Sequence, residues 1–124
     1  MGLGTPDDLV RAVGCGVDLF DCVIPTRHGR HGSAFTAHGS LNLRNTRFRA
    51  DGDPIEPGCP CPACASFSRG YLRHLVTSGE ALGPRLLSLH NLAFYMRTLS
   101  AARDAIASGG FDAWCTRWLD DFRG

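Results

Sequence analysis

GVDLFDCVIPTRHGRHG, residues 16–32, is the stretch on which the fold turns. Its first half, residues 17–24, is an apolar run closed by Pro25, which is the composition of a buried β-strand. Ahead of it, Thr5-Pro6-Asp7-Asp8 reads as a helix start: a hydroxyl cap, a proline in the first turn, and acids over the positive end of the helix dipole. Leu9, Val10 and Val13 give that helix an apolar stripe, and Gly14 and Gly16 stop it. Helix followed by buried strand is the order of half a βαβ unit, so the chain is placed in the α/β class.

Two carboxylates interrupt the apolar run. Asp18 and Asp21 are three apart and point to opposite faces of a strand. Asp21 is nearer the C-terminal end, where parallel α/β folds gather their active groups, and a carboxylate there serves as nucleophile, base or substrate anchor. The same spacing also suits an aspartate that caps a neighbouring loop.

Directly after the strand comes Thr26-Arg27-His28-Gly29-Arg30-His31-Gly32. Arginines on a glycine-rich loop suit phosphate oxygens through forked donors and close backbone approach, although a merely solvated loop has the same composition. The basic character extends further. Between Asp21 and Asp51 lie Arg27, Arg30, Arg44, Arg47 and Arg49, with three histidines and no acid, although the net charge of the chain is only +1. A local basic surface follows.

Further along, Cys59-Pro-Cys61-Pro-Ala-Cys64 packs three thiols into six residues. Thiolates are soft ligands of the kind zinc prefers, and the fourth tetrahedral position calls for a donor from another element. His90 is the candidate. A closed Cys3His set around Zn2+ leaves no coordination position open, so such a metal holds structure and performs no chemistry. Unpaired buried cysteines, or a disulfide with a spare thiol, remain alternatives, and an iron–sulfur cluster ordinarily asks for four thiolates. Cys15, Cys22 and Cys115 read as ordinary buried thiols.

Between these motifs, glycines at 29, 32 and 39 among short apolar pairs suggest irregular loop and a small hairpin within residues 34–48. Residues 50–64, rich in proline and aspartate, form the loop that presents the cysteines. From residue 65 the period becomes helical, with Phe67, Tyr71, Leu72 and Leu75 on one face and Gly79 as the stop. A longer helix is predicted over about 84–108, with Leu86, Leu89, His90, Ala93, Phe94, Leu99, Ala102 and Ile106 inward, and a short one over 111–122. His28, His38 and His74 read as surface residues. MGLG at the start has the look of a further strand.

Length and composition bound the rest. At 124 residues, 44% hydrophobic and 20% charged, the chain has the makeup of one modest soluble domain. It contains no membrane-length apolar run and opens without a basic, apolar leader, so a cytoplasmic chain with reduced thiols is expected.

GVDLFDCVIPTRHGRHG, LNLRNTRF (41–48), the CPCPAC run, SRGYLRHL (68–75) and LLSLHNLAFY (86–95) together resemble, in order and spacing, the C-terminal part of the tRNA-guanine transglycosylases, the queuine tRNA-ribosyltransferase family. The resemblance runs from Met1 to about residue 110. It implies the C-terminal part of a (β/α)8 TIM barrel with a zinc-binding subdomain, the barrel being incomplete in this chain. Residues 1–24 would be the last barrel strands with their intervening helix, 25–58 a basic RNA-binding loop and small hairpin, and 59–124 a zinc-binding helical subdomain with C-terminal barrel helices.

The activity implied is exchange of guanine for a 7-deazaguanine, preQ1 or queuine, at the tRNA wobble position, and the GRHG form of the loop resembles bacterial members. On that resemblance Asp21 is the nucleophile that attacks C1′ of the ribose, Met1 packs against the bound base, and Arg27 and Arg30 grip the tRNA anticodon loop. Cys59, Cys61, Cys64 and His90 match the Zn2+ ligands. The family also implies a homodimer, and the lack of a membrane-length apolar run implies no membrane. A complete barrel needs roughly 250 residues, and the family carries its acid/base aspartate and purine-reading groups on earlier strands, so this chain alone is expected to be inactive. The alternative reading is a non-catalytic zinc-containing RNA-binding module or partner subunit.

Overall fold

The computed structural model describes residues 4–17 and 19–123. Helix α1 (Pro6–Gly14) starts at the predicted position, with the proline in the first turn, Asp7 and Asp8 over the dipole, and Arg11 paired to Asp7 at 3.0 Å, but Thr5, though extended, makes no side-chain cap hydrogen bond to the helix. Leu9 and Val10 are its buried face.

The strand predicted over 17–24 is not formed among the described residues. Val17 and residues 19–22 are irregular, and helix α2 (Ile24–Arg30) begins before the run has ended. A strand exists only where a neighbour completes its ladder, and here Leu19, at 89% exposure, and Val23 face outward with no strand beside them among the described residues. The strand expected at the N-terminus falls on residues 1–3, and Asp18 with them lies outside the described residues.

Residues 26–32, predicted as loop, are largely the last turns of α2. Pro25 belongs to its first turn, where the missing N–H costs nothing. Gly29 is interior because α2 crosses the long helix α5 (Leu82–Ala107) at contact distance: a Cβ on Gly29 would meet Ser88 Oγ at 2.5 Å and the Ser88 amide nitrogen at 2.7 Å. The glycine that suggested a loop is a packing residue.

The predicted hairpin is present. Strands β1 (Ser33–Thr36) and β2 (Gly39–Asn42) pair antiparallel, with Ser33 opposite Asn42 and Thr36 opposite Gly39. This two-stranded sheet is the sheet of the described residues, and a parallel barrel sheet is not among them. The chain is therefore a helix-rich α/β structure. A 3-10 turn at Thr46–Phe48 and an irregular segment lead to the short helix α3 (Pro62–Ser66), then α4 (Arg69–Thr77), α5 and α6 (Phe111–Arg123).

Two apolar clusters organise the molecule. One gathers Leu43, Phe48, Ile55, Leu72, Leu86 and Leu87 around the three close-spaced cysteines. The other joins Leu9, Phe35, Phe94 and Tyr95, with Trp118 and Phe122 of α6 packed against it. Helix α5 runs through both. Two of its residues expected inward, Leu89 and Ile106, are exposed. An unusually apolar helix offers more nonpolar positions than its neighbours cover, and Ile106 borders an open groove of about 330 Å³ beside Val13 and Phe20. Cys15 is exposed and Cys22 and Cys115 are half-buried, contrary to the expected buried thiols, because they lie where α1, α6 and the irregular segment meet solvent. No helix of the described residues is long and apolar enough to cross a membrane.

Candidate metal centre

Four side chains converge between α3, α5 and the loop that precedes α3. Glu56-Pro57-Gly58-Cys59 is a tight turn: the Cys59 amide donates to the Glu56 carbonyl at 3.2 Å, and Gly58 has a φ of 83°. Proline then glycine at the two central positions is the type II pattern, whose second corner needs a positive φ. The turn delivers Cys59. Cys61 caps α3, its sulfur accepting from the Cys64 amide at 3.4 Å, which fixes Cys61 and Cys64 on the same side of that first turn.

His90, fully buried on α5, completes the set. Its Nδ1 lies 3.9 Å from Cys59 Sγ, 3.4 Å from Cys61 Sγ and 3.3 Å from Cys64 Sγ. All four ligand atoms fall within 4.8 Å of one another. Tetrahedral zinc with Zn–S of about 2.3 Å and Zn–N of about 2.0 Å separates a sulfur from a nitrogen by about 3.5 Å, close to the three spacings observed from Nδ1. The donor chemistry fits as well, being three soft sulfurs and one imidazole.

The imidazole is held in the right form. Nε2 lies 2.7 Å from the Phe35 carbonyl, and since a carbonyl only accepts, Nε2 carries the proton and Nδ1 presents its lone pair to the sulfurs. Burial pushes the His90 pKa down, opposed by the Phe35 carbonyl and the Glu56 carboxylate, so the ring is neutral as a ligand must be. The thiols behave oppositely. Burial raises Cys61, and raises Cys64 to about 12. A divalent cation offsets this cost of placing thiolates in an apolar shell.

Asn91, beside His90, ties the cluster to the rest of the fold. Its Oδ1 accepts from the Phe35 amide at 3.0 Å, and its Nδ2 donates to the carbonyls of Pro25 and Ser33, both at 3.0 Å. Consecutive residues of α5 thus grip Phe35 at both its N–H and its C=O. Through Pro25 the same residue anchors α2, which carries Arg27 and Arg30 exposed one turn apart. His28 between them is half-buried, not a surface residue, and stacks on Phe35 with ring centroids 4.9 Å apart.

Of the other residues singled out in the sequence, Asp21 is exposed on the irregular segment just before α2, and Met1 lies outside the described residues. Glu56, Asn91 and Arg97 carry much of the local geometry without having been expected to. The Pro57-Gly58 dipeptide ahead of Cys59 was a readable signal for the turn; Asn91 and Arg97 belong to no motif.

The architecture and the cluster define a helix-rich α/β chain built around a closed Cys3His metal-type centre. The family model described as Queuine tRNA-ribosyltransferase matches residues 1–124, and the chain belongs to that family. It is 55% identical over 123 residues to the queuine tRNA-ribosyltransferase of Sphingopyxis alaskensis, covering 99% of this chain and 33% of that protein. It is 53% identical to the protein of that name from Novosphingobium aromaticivorans, with 98% and 33% covered. For the Brucella suis protein the identity is 55%, with 90% and 29% covered. The chain spans about a third of the length of the curated relatives it matches.

Proposed function

We propose that this chain is the nucleophile-bearing and zinc-bearing part of a tRNA-guanine transglycosylase, exchanging guanine for a 7-deazaguanine at the wobble position of tRNA. The observation that carries the reading is the family match over the full chain, at about half identity to proteins named for that activity.

Asp21 is assigned as the nucleophile. Its carboxylate attacks C1′ of the target ribose while the bond from C1′ to guanine breaks, the bonding electrons leaving with the base, which takes a proton from an acid elsewhere in the complete enzyme. The incoming 7-deazaguanine then attacks C1′ through its own nitrogen, loses a proton to a base, and frees the carboxylate. Two inversions retain the configuration. The exposure of Asp21 supports this role, since a nucleophile for so large a substrate has to be reachable.

Arg27 and Arg30 are assigned to the anticodon loop, whose unstacked single strand is the readable form of RNA. Met1 is assigned to the face of the bound base. Zn2+ at Cys59, Cys61, Cys64 and His90 supplies folding energy to the subdomain, consistent with a centre that has no open position. A tRNA substrate implies work in the cytoplasm, and the family resemblance implies a homodimer. Residues 1–24 and the helices that close the chain are assigned to a TIM barrel whose other strands come from the remaining two thirds of the family's length.

The test mixes the chain with the N-terminal two thirds of a relative, tRNA and labelled guanine. A covalent tRNA adduct that disappears with Asp21→Asn is expected from the mixture, and no exchange from the chain alone. An adduct that survives Asp21→Asn removes Asp21 from the role. A mixture that binds tRNA without any adduct favours a non-catalytic RNA-binding module.

A further inference from the structure

Glu56 has each of its polar groups committed around the Cys3His cluster. Its carbonyl accepts from the Cys59 amide at 3.2 Å, and its own amide donates to Cys64 Sγ at 3.4 Å. Its Oε1 accepts from Arg97 Nη2 at 2.9 Å and its Oε2 from the Ala37 amide at 2.9 Å. Oε1 is also 3.8 Å from His90 Nε2. One residue therefore touches two cysteine-bearing segments through its backbone, and the hairpin turn and α5 through its side chain.

The geometry has a mechanical consequence. Cys59, Cys61 and Cys64 come from the loop and α3, whereas His90 comes from α5, so the four donors hold their spacing only if those pieces are fixed to each other. Asn91 and the Phe35 carbonyl fix α5 to β1. Nothing in that set reaches the loop. Glu56 does, because Arg97 is on the same helix as His90 and bonds the side chain of the residue whose backbone fixes Cys59 and Cys64.

Charge gives Arg97 a second role. A zinc ion with three thiolates and one imidazole carries one net negative charge, and an isolated Glu56 carboxylate beside it would repel it. Arg97 answers the Glu56 charge directly, its Nη2 donating to Oε1 at 2.9 Å. The pair is mostly shielded on the Glu56 side, whose side chain is 14% exposed.

We propose that Glu56 is the positioning residue of the Cys3His centre, and that the Glu56–Arg97 pair locks the cysteine loop to the histidine helix and so sets how tightly the centre retains its metal. The proposal rests on the reading of the cluster as a zinc site. Groups hydrogen-bonded to metal ligands typically change metal affinity by about 10–100-fold when removed, and the Glu56–Arg97 pair acts one step further out, through the Glu56 backbone, so the lower end of that range is expected.

The test is competition for zinc between the chain and a chromophoric chelator, with Co2+ substitution read in parallel by its visible absorption. Glu56→Gln keeps the shape and the turn but loses the charge; Arg97→Gln removes the other half of the pair and leaves the turn untouched. Both variants, folded by circular dichroism, are expected to lose zinc affinity by about 10-fold or more and to shift or broaden the Co2+ bands. Asp7→Asn, which breaks the Asp7–Arg11 pair on α1, is expected to change neither readout. Wild-type zinc affinity and an unchanged Co2+ spectrum in both variants overturn the positioning role while leaving the zinc site standing. Failure of the unaltered chain to bind either metal in stoichiometric amount overturns the zinc reading and this inference with it.

Discussion

The Nε2–H of His90 donates to the carbonyl of Phe35 at 2.7 Å, and that single bond turns the Nδ1 lone pair toward three sulfurs. A buried histidine committed this way has one free nitrogen and one chemical use. Replacing His90 by alanine removes a donor and also leaves the Phe35 carbonyl unpaired in the core. Metal analysis of the reduced protein is expected to find about one zinc per chain for the wild type and less than about half for His90→Ala. A full equivalent in the variant would contradict the assignment of His90 as a ligand.

Removal of the metal is expected to destabilise the whole molecule, because the cysteine cluster is continuous with one of its two apolar cores. Zinc present at roughly a thousand times its dissociation constant contributes about 4 kcal/mol. For a domain of this size that corresponds to a fall in Tm of roughly 15 °C on adding excess chelator. A thermal scan with and without EDTA measures it, and coincident transitions would show that the cluster closes without metal.

Asn91 is the residue that couples the two halves of the fold. Asn91→Ala removes the side-chain partner of the Phe35 amide and of the carbonyls of Pro25 and Ser33. With each unpaired buried group costing about 1–3 kcal/mol and partial relaxation, a loss of about 3 kcal/mol is expected in denaturant unfolding of the zinc-loaded protein. A change below about 1 kcal/mol would mean that water replaces the amide.

These contributions were unevenly legible in the sequence. The start of α1, the hairpin, the three later helices and the proximity of Cys59, Cys61, Cys64 and His90 follow from local signals: caps, period and ligand spacing. The strand expected at 17–24 does not, because strand formation depends on a neighbour and composition records only suitability for one. Gly29 misled for a related reason, since its use against Ser88 is a property of two helices that cross. Glu56 and Asn91 are single polar residues with no motif around them; their importance comes from the groups that tertiary folding brings within 3 Å.

Gly29→Ala tests the helix crossing directly. The added methyl would meet the Ser88 main chain, which cannot rotate away as its hydroxyl can. Overpacking of this kind costs about 1–3 kcal/mol, and Ser88→Gly in the same chain is expected to recover little of it because the amide nitrogen at 2.7 Å remains. Full recovery in the double variant would place the clash on the hydroxyl alone.

On the proposed RNA-binding face, Arg27→Ala and Arg30→Ala are each expected to weaken tRNA binding and to reduce the slope of log affinity against log salt by about one contact. Both side chains are exposed on the last turn of α2, so circular dichroism should be unchanged. Filter binding across a salt series decides it, and unaltered slopes would assign these arginines to solvent.

His28 gives the same face a pH response. Burial lowers its pKa, and the neighbouring His31 and Arg27 lower it further. A histidine with a depressed pKa favours the neutral folded form, so its contribution to stability is fully present above its ordinary value near 6.5 and is lost as pH falls below that through the depressed value. Below pH 6.5 the unfolded chain's imidazole takes up a proton that the stacked ring, set against Phe35 and beside Arg27 and Arg30, resists, and the balance shifts away from the fold. His28→Phe keeps the stack and removes the titration, and its Tm is expected to fall less between pH 7 and pH 5.5 than that of the wild type. Parallel pH profiles for the two proteins would show that the acid sensitivity lies elsewhere.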